Sequence, residues 1–459
     1  MNYHEIKYIV DIINSHMFSS IRQIEDYLQT LIPDSSQLRF PGEEGIKRTK
    51  EFLKLLDSPQ NKLKIIHIAG TSGKGSTSFM ISNLLAAHGF TVGLSLSPHL
   101  LDMRERFEIN NHLISPQKFI NYFEEIAPSI EKMLSSQYGK ITYFEALVGM
   151  TYYTFFKEKV DYAVVETGLG GEFDGTNTVD RTDKLAVLSR IGFDHMKILG
   201  TTLPEITHQK AMICAMRGDL ITINQYPSVY EEIKKVVDKK KGHLLIVKKN
   251  ATKNITLTQE NTTLSFKWNS MAFKNITLGL LGGHQVQNAS LALAALGHLS
   301  KRDKFTLKID TVVSTLRTLR FKGRFDIISR KNGQIILDGA HNVPKMKAFL
   351  KALKKIYPDK KFTFIIAFKK GKEYKKMLQL IIPYAIKIVV THIFSESQDL
   401  QHFSVSAKAI VDEVSRLGFY QVTTVSNIKD IVRMIRMDAS SFVITGSLYL
   451  LGDIYTELE

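Results

Sequence analysis

Cysteine is nearly absent from the sequence, and its scarcity removes two kinds of site. Among the 459 residues the only cysteine is Cys214. One thiol excludes a disulfide within the chain, and it also excludes a zinc site built only from the thiolates of one chain. Stability and any metal chemistry must therefore depend on other side chains.

Long apolar runs are missing as well. A membrane-spanning helix needs about 20 consecutive apolar residues, and no stretch of the sequence approaches that length. The first residues, Met1 to Val10, include an acidic side chain and contain no apolar core long enough for a secretory signal. We therefore expect a cytoplasmic protein without a membrane partner.

Acidic residues are fewer than basic ones, so the formal net charge is +16. Such a charge suits binding to nucleic acid, to a membrane surface or to an anionic small molecule. The lysines are spread along the chain, and no basic stripe with interleaved aromatic residues occurs. We expect no nucleic-acid partner. A nucleic-acid-associated protein is the alternative, and it would bind oligonucleotides in a salt-dependent way.

What the sequence does contain is a glycine loop between a strand pattern and a helix pattern. Apolar residues at 65–68 predict a strand, and the spacing of apolar residues at 80–85 predicts a helix. The segment between them, Gly70 to Gly75, reads Gly-Thr-Ser-Gly-Lys-Gly. Glycines let backbone N–H groups turn towards phosphate oxygens, and a helix N-terminus adds partial positive charge. The pattern indicates a phosphate-binding loop.

This loop departs from the strict phosphate-loop pattern at two positions. Ile68 replaces the first glycine, and Gly75 follows Lys74 where the pattern has Ser or Thr. Ser76 supplies the hydroxyl one residue later, and Lys74 is predicted to reach a β- or γ-phosphate. Farther along, Glu166 ends a short apolar strand, which is where proteins with phosphate loops place an acidic Mg²⁺ ligand.

Strand and helix patterns alternate along most of the chain, which predicts an α/β fold with a doubly wound parallel sheet. We expect a large phosphate-loop domain over residues 1–318, including a helical N-terminal segment, and a smaller Rossmann-like α/β domain over residues 319–459. Residues 253–267 are predicted to form a hairpin. The smaller domain is predicted to begin with a second hairpin about the turn Asn332-Gly333.

Short motifs occur in a fixed order along nearly the whole chain. They are Gly45-Ile46-Lys47-Arg48, Ser58-Pro59-Gln60, Gly70 to Ser76, Ser97-Pro98-His99-Leu100, Glu105-Arg106, Thr142-Tyr143-Phe144-Glu145, Glu166 with its glycines, Asp194-His195, Lys210-Ala211, His284-Gln285 with Asn288-Ala289, Gly323-Arg324-Phe325, Asp338 to Asn342, and Thr445 to Tyr449. With these motifs the sequence resembles the folylpolyglutamate synthase/dihydrofolate synthase family of the Mur ligase superfamily. One motif would be weak evidence, whereas this number in this order is specific.

The resemblance implies an ATP-dependent amide ligase. In that reaction the carboxylate of dihydropteroate, or of (tetrahydro)folate and its polyglutamates, attacks the γ-phosphate of ATP and becomes an acyl phosphate. The amine of L-glutamate then displaces phosphate. Cations must offset the repulsion between the carboxylate and the triphosphate. The resemblance also implies that two domains close over ATP and exclude water.

The resemblance assigns roles to individual residues. The residues matched to ATP are Gly70, Thr71, Ser72, Gly73, Lys74, Gly75, Ser76, Asn288, Arg324, Asp338 and His341. Those matched to two Mg²⁺ sites are Ser76 and Glu166 for the first, and Ser97, Glu166 and His195 for the second. These ligands are mostly oxygen atoms, which suits Mg²⁺. The residues matched to catalysis are Lys74, Glu166, His195 and Lys210.

Lys210 corresponds to a lysine that is carbamylated in this family. CO₂ adds only to a neutral amine, so the surroundings must favour loss of the proton. The carbamate would turn a cation into an anion that faces the metal. The alternative is an ordinary solvated helix lysine.

Other interpretations stay open at this stage. Without the resemblance, Ser97 is typical of a turn, His195 of a loop and Asn288 of a helix cap. A Mur-type ligase for a different acid and amine is one alternative function. A phosphate-loop NTPase without ligation is another, and it would hydrolyse ATP without either substrate. We expect a monomer that acts on small molecules, and the sequence does not choose between dihydrofolate synthase and folylpolyglutamate synthase activity.

Overall fold

A computed structural model describes residues 18–32, 42–331, 333–394 and 404–458. The chain divides into two units. The first unit consists of the described residues up to His99, Arg104–Lys249 and Asn288–Thr311. The second consists of Leu100–Met103, Asn250–Gln287 and the described residues from Val312 onwards.

The first unit is built on a seven-stranded sheet with the order β3-β2-β4-β1-β5-β6-β7. Its strands are β1 (Ile65–Ala69), β2 (Val92–Ser95), β3 (Glu108–Ile109), β4 (Tyr162–Glu166), β5 (Leu185–Leu188), β6 (Asp219–Ile223) and β7 (His243–Val247). All neighbours are parallel except β2 and β3. The central strand β1 is fully buried between β4 and β5, and Ile68 lies opposite Glu166. The carboxyl end of β1 therefore meets the end of β4.

Helices cover this sheet. They are α1 (Ile21–Gln29), α2 (Gly42–Leu55), α3 (Lys74–Ala87), α4 (Pro116–Lys132), α5 (Tyr143–Lys157), α6 (Met196–Leu199), α7 (Leu203–Ala211) and α8 (Pro227–Lys239). Two of them begin with a capping box, in which Thr142 and Glu145 start α5, and Thr202 and Glu205 start α7. Such boxes satisfy backbone donors that a helix start leaves without partners. The two capping boxes thus fix the residues at which α5 and α7 begin.

The second unit contains two sheets. One has the order β11-β12-β16-β13-β14-β15, and the other is the antiparallel sheet β10-β9-β8. The strands are β8 (Thr252–Leu257), β9 (Thr262–Trp268), β10 (Met271–Leu278), β11 (Asp326–Arg330), β12 (Gly333–Asp338), β13 (Phe362–Ile366), β14 (Ala385–Val390), β15 (Val422–Thr424) and β16 (Phe442–Thr445). In the larger sheet only β11 and β12 are antiparallel to each other.

The remaining helices come later in the chain, and residues 288–302 of the first of them belong to the first unit. They are α9 (Gly283–Arg302), α10 (Ile309–Thr318), α11 (Val343–Ile356), α12 (Tyr374–Ile381), α13 (Ala407–Arg416), α14 (Ile428–Met437) and α15 (Leu448–Leu458). An apolar cluster beneath α11 includes Phe349, Phe364 and Leu281. Leu281 belongs to this cluster although it precedes Phe364 by a long stretch of chain, because β8–β10 are part of the second unit.

The predicted α/β fold with parallel sheets is confirmed. The hairpin expected over residues 253–267 is extended by a third strand, because β10 pairs antiparallel with β9. The hairpin of β11 and β12 forms as expected, with Gly333 at a φ of +109°, whereas Asn332 lies outside the described residues. The boundary at residue 318 stays a prediction. Within the described ranges, no helix combines the length and apolarity needed to cross a bilayer.

Candidate active site

The glycine loop joins the end of β1 to the start of α3. The helix begins at Lys74, and Gly73 precedes it with a φ of +95° and without a side-chain cap. Uncapped N–H groups at a helix start can donate to an anion. Gly73 also borders Asn288, since a Cβ at Gly73 would overlap the Asn288 Oδ1 atom. A side chain at position 73 would therefore have to displace Asn288 and adopt a strained left-handed backbone conformation.

Backbone hydrogen bonds hold the loop against the segment after β5. The Thr71 N–H and the Ser72 N–H both donate to the Arg190 carbonyl, at 2.9 and 3.2 Å. The Thr71 hydroxyl donates to the Gly192 carbonyl at 2.9 Å. These bonds fix the start of the loop and leave its second half, Gly73 to Ser76, at the helix N-terminus. Ser76 is buried in the first turn of α3.

Lys74, Glu166 and Ser97 converge beside the loop. The Lys74 Nζ atom lies 3.5 Å from Glu166 Oε1. The Ser97 N–H donates to Glu166 Oε2 over 3.4 Å. Glu166 is 8% exposed, and a buried carboxylate needs a cation or strong donors beside it. The arrangement places one cation and one carboxylate at the end of the central strands.

Lys210 reaches the same loop from α7. It is 4% exposed, and its Nζ atom donates to the Gly70 carbonyl at 3.1 Å. Burial and the nearby Lys74 cation lower the pKa of Lys210 to about 7, although Asp194 and Asp174 oppose this shift. A buried ammonium next to another cation loses its proton more readily. Lys210 is therefore not the solvated helix lysine of the alternative interpretation.

His195 lies at the entry to α6. Its side chain is 40% exposed, and its Nε2 atom is 3.8 Å from Asp194 Oδ1. The chain reaches it directly from Gly192, which is bonded to Thr71 of the loop. The loop is thus hydrogen-bonded to the chain three residues before His195, and the predicted metal role of His195 stays a prediction.

In the second unit, Arg324, Asp338 and His341 lie together. Asp338 Oδ2 accepts from the Phe325 N–H at 3.0 Å, and Asp338 Oδ1 accepts from the Ala340 N–H at 2.9 Å. Burial raises the pKa of Asp338 to about 6, while Arg324 opposes the rise. A Cβ at Gly339 would lie 3.5 Å from the Arg324 Nη1 atom, so the guanidinium runs close to this loop.

Comparison with known proteins agrees with this arrangement. The Mur ligase middle domain matches residues 68–296, and the C-terminal domain of dihydrofolate synthetase matches residues 322–457. The chain belongs to the folylpolyglutamate synthase/dihydrofolate synthase family. This confirms the assignment made from the motifs.

Individual members of the family align over almost their full length. The dihydrofolate synthase/folylpolyglutamate synthase of Bacillus subtilis is 29% identical over 433 residues, which cover 92% of this chain and 97% of that protein. The dihydrofolate synthetase of Saccharomyces cerevisiae is 27% identical, with 90% and 97% covered. The folylpolyglutamate synthase of Mycobacterium tuberculosis, solved with ADP and AMPPCP, is 26% identical with a TM-score of 0.82, and 95% and 98% of the two chains are covered.

Sequence reasoning missed two side chains near the sites of this family member. Asp174 is buried, and its carboxylate accepts from the Leu169 N–H at 2.6 Å and lies within electrostatic reach of Lys74. The sequence feature that could have indicated Asp174 is its position just after the glycines that follow Glu166. Lys345 contacts His341 at 3.1 Å.

Proposed function

We propose that this family member is an ATP-dependent acid–amino-acid ligase. It joins L-glutamate to dihydropteroate, to (tetrahydro)folate polyglutamate, or to both, through an acyl phosphate, and it releases ADP and phosphate. The observation that carries the proposal is the convergence of three groups at one glycine loop. They are the Lys74 ammonium, the Glu166 carboxylate 3.5 Å away and the buried Lys210 amine 3.1 Å from the Gly70 carbonyl.

The glycine loop suits the phosphates of ATP. The N–H groups at the start of α3 lack a side-chain cap, and Lys74 adds a full positive charge. Bound ATP with Mg²⁺ supplies the phosphoryl group that activates the substrate acid. The role of this chain is to place cationic and N–H donors where negative charge develops, and such preorganised donors are a large source of rate enhancement. The matched residues of the second unit complete the nucleotide site in this proposal.

The chain offers oxygen ligands for Mg²⁺. Among the described residues no group of three or more His, Cys, Asp and Glu side chains forms a metal cluster. Mg²⁺ does not need one, because it is commonly held by one or two carboxylates together with substrate phosphates and water. Glu166 and the Ser76 hydroxyl would hold the first ion, and Ser97, Glu166 and His195 the second. The donor set fits this cation.

Lys210 fits a carbamate. The amine attacks the carbon of CO₂ and loses a proton, which gives a carbamate anion. This needs the neutral amine, which burial and the Lys74 cation favour because they lower the pKa of Lys210 to about 7. A carbamate there would lie beside Gly70 and near Lys74, and its negative charge would face the metal ion.

The substrate acid is proposed from the relatives. Both activities appear in the name of the Bacillus subtilis protein, and the match over residues 322–457 is to a dihydrofolate synthetase domain. Dihydropteroate is therefore the first acid to test, and tetrahydrofolate and its glutamylated forms are the second. A cytoplasmic location, a monomeric state and the absence of other partners stay predictions.

The proposal is tested by measuring ADP release against pairs of acids and amines. The acids are dihydropteroate, tetrahydrofolate and a UDP-muramyl peptide, each with and without L-glutamate. We expect ADP only when a pterin or folate acid and L-glutamate are both present. Mass spectrometry should then show a product heavier by one glutamyl residue.

A matched pair of variants links this activity to the loop. Lys74→Met should lower kcat/KM for ATP by about 100-fold or more, as expected when a charge-stabilising group is removed. Lys62→Met is the control, because Lys62 is an exposed lysine that pairs with Asp57. ATP hydrolysis without acid and amine would show a non-ligating NTPase instead. ADP release with the UDP-muramyl peptide alone among the acids would show a different amide ligase.

A further inference from the structure

The segment that follows Glu166 lies directly against the end of α7. The Glu172 N–H donates to the Gln209 carbonyl at 2.7 Å. A Cβ at Gly171 would lie 2.5 Å from that carbonyl oxygen and 3.0 Å from the Lys210 Cα atom. The backbone of this segment therefore packs, without an intervening side chain, on the backbone that carries the Lys210 amine.

Two side chains strengthen this contact. The Gln209 Nε2 atom donates to Glu172 Oε2 at 2.9 Å. The Asn177 Nδ2 atom donates to the Glu172 carbonyl at 3.2 Å and to the Met212 carbonyl at 3.4 Å. The last carbonyls of an α-helix have no donors within the helix. Because α7 ends at Ala211, the segment supplies donors to the end of this helix from outside.

Asn177 is itself held by a lysine in the core of the first unit. Lys184 is 3% exposed, and its Nζ atom donates to Asn177 Oδ1 at 3.1 Å and to the Val179 carbonyl at 3.3 Å. A donor to the amide oxygen fixes the orientation of the amide, so the NH₂ group of Asn177 is directed at Glu172 and Met212. The end of α7 is thus connected through Asn177 to a buried lysine just before β5.

The contact between Glu172 and Gln209 acts on Lys210 through position. Burial lowers the pKa of Lys210, and the charged groups that act on it among the described residues are Lys74, Asp194 and Asp174. Glu172 is not one of them. Its carboxylate oxygen accepts from the residue next to Lys210, and a neutral amide oxygen would accept there equally well.

We propose that Glu172 and Asn177 are positioning residues for the Lys210 amine. Together they form the α7 clamp, which holds the last turn of α7 so that Lys210 Nζ stays 3.1 Å from the Gly70 carbonyl. This inference rests on the proposed function, in which Lys210 carries a carbamate. Misplacement of a reacting group by about 1 Å can lower a rate by about 100-fold, so the clamp is expected to affect turnover although it acts through Lys210.

Carbamate formation tests the clamp in the absence of ATP. With ¹³C-labelled bicarbonate at fixed pH, the concentration that gives half of the full carbamate resonance should be about 5-fold to 10-fold higher for Glu172→Ala, as expected for loss of a hydrogen bond. Glu172→Gln should behave as the unchanged protein does, since its amide oxygen can accept from Gln209 Nε2. Glu231→Ala is the matched control, because Glu231 is an exposed glutamate on α8. An equal effect of Glu172→Gln and Glu172→Ala, or no effect of Glu172→Ala, would overturn the inference.

Two further variants test the contacts of the clamp. Asn177→Asp keeps an acceptor for Lys184 but loses the N–H donors, so it should require more bicarbonate, as Glu172→Ala does. Glu172→Ala combined with Gln209→Ala should require no more bicarbonate than Glu172→Ala alone. Additive losses would show that Glu172 does not act through Gln209 and would overturn its positioning role. Thermal unfolding of each variant identifies any loss that comes from misfolding.

Kinetics and chemical labelling separate this inference from the proposed function. Glu172→Ala should lower kcat by about 10-fold or more and leave KM for ATP unchanged, because other hydrogen bonds hold the glycine loop. Absence of the carbamate resonance in the unchanged protein would overturn the carbamate of the proposed function. Acetylation of Lys210, measured by mass spectrometry, would then still decide on the clamp. Faster labelling in Glu172→Ala than in Glu231→Ala would support it, and equal labelling would overturn it.

Discussion

At the scale of single residues, Lys210 shows how burial selects chemistry. Its amine is almost inaccessible to solvent and donates to the Gly70 carbonyl. Taking an ammonium out of water disfavours its charged form, and the Lys74 cation adds repulsion. Lysine usually remains protonated at neutral pH, but these two effects make the neutral and nucleophilic form accessible there. The same surroundings would be unfavourable for a lysine that serves only as a cation.

We expect Lys210 to form a carbamate near neutral pH. With ¹³C-labelled bicarbonate at pH about 7.5, a carbamate resonance should appear in the ¹³C NMR spectrum and be absent from Lys210→Met. Because the pKa of Lys210 is about 7, its neutral fraction falls as pH decreases below 7, and the resonance should weaken in that direction. Lys234→Met is the control, because Lys234 is an exposed lysine on α8, and this variant should retain the carbamate resonance. Persistence of the resonance in Lys210→Met would contradict the assignment.

At the scale of elements, helix α3 of the β1–loop–α3 segment lies between two glycines with nearly the same positive φ. Gly73 before the helix has a φ of +95°, and Gly89 after it has a φ of +94°. A residue with a side chain is strained at either position. The surroundings differ, because a Cβ at Gly73 would overlap Asn288, whereas a Cβ at Gly89 would meet no atom within 4 Å. Substitutions at Gly73 and Gly89 can therefore distinguish the effect of backbone strain, which both share, from the effect of crowding, which only Gly73 has.

Replacing these glycines by alanine should give different results. Gly89→Ala should lower the free energy of unfolding by about 1–2 kcal/mol, which is the cost of the left-handed conformation. Gly73→Ala should lower it further and should also weaken AMPPCP binding, because Asn288 must move and the loop must widen. Urea unfolding and calorimetry measure the two effects. Equal behaviour of both variants would show that Asn288 yields without consequence.

At the scale of the whole molecule, the second unit is assembled from separate stretches of chain. Residues 250–287 belong to it although more than half of the first unit precedes them. Leu281 joins the apolar cluster of Phe349 and Phe364, while Leu188 of β5 belongs to a cluster of the first unit. Units with separate cores can open separately, and amide exchange detects this.

Leu281→Ala should destabilise the second unit selectively. Loss of a buried leucine side chain costs about 2–5 kcal/mol, so we expect faster hydrogen–deuterium exchange in α11 and little change in β6. Leu188→Ala is the counterpart, and it should accelerate exchange in β6, whose Leu220 belongs to the same cluster, and leave α11 protected. Mass spectrometry of peptides from the exchanged protein provides the measurement. Uniform acceleration by both variants would indicate that the molecule opens as a single cooperative unit.

The parts of the fold and of the candidate site that could be predicted are those with a local signal in the sequence. Strand and helix periodicity is set by neighbouring residues. The sequence around each feature was therefore enough to predict the glycine loop, Lys74 within it and the strand that ends at Glu166. The short motifs were also sufficient to identify the family. The third strand β10, which pairs with β9, was missed, since the strand preference of a segment depends strongly on its context in the fold.

The sequence by itself determined the α/β class, the phosphate-type loop and the family, since each depends on residue order over short stretches. Only the tertiary structure decided that Lys210 donates to Gly70, 140 residues away, that Leu281 packs with the second unit, and that the Lys345 ammonium contacts His341. These contacts depend on which side chains, far apart in sequence, are buried next to each other in the folded protein. Burial and charge proximity are properties of the folded chain, and no local pattern encodes them.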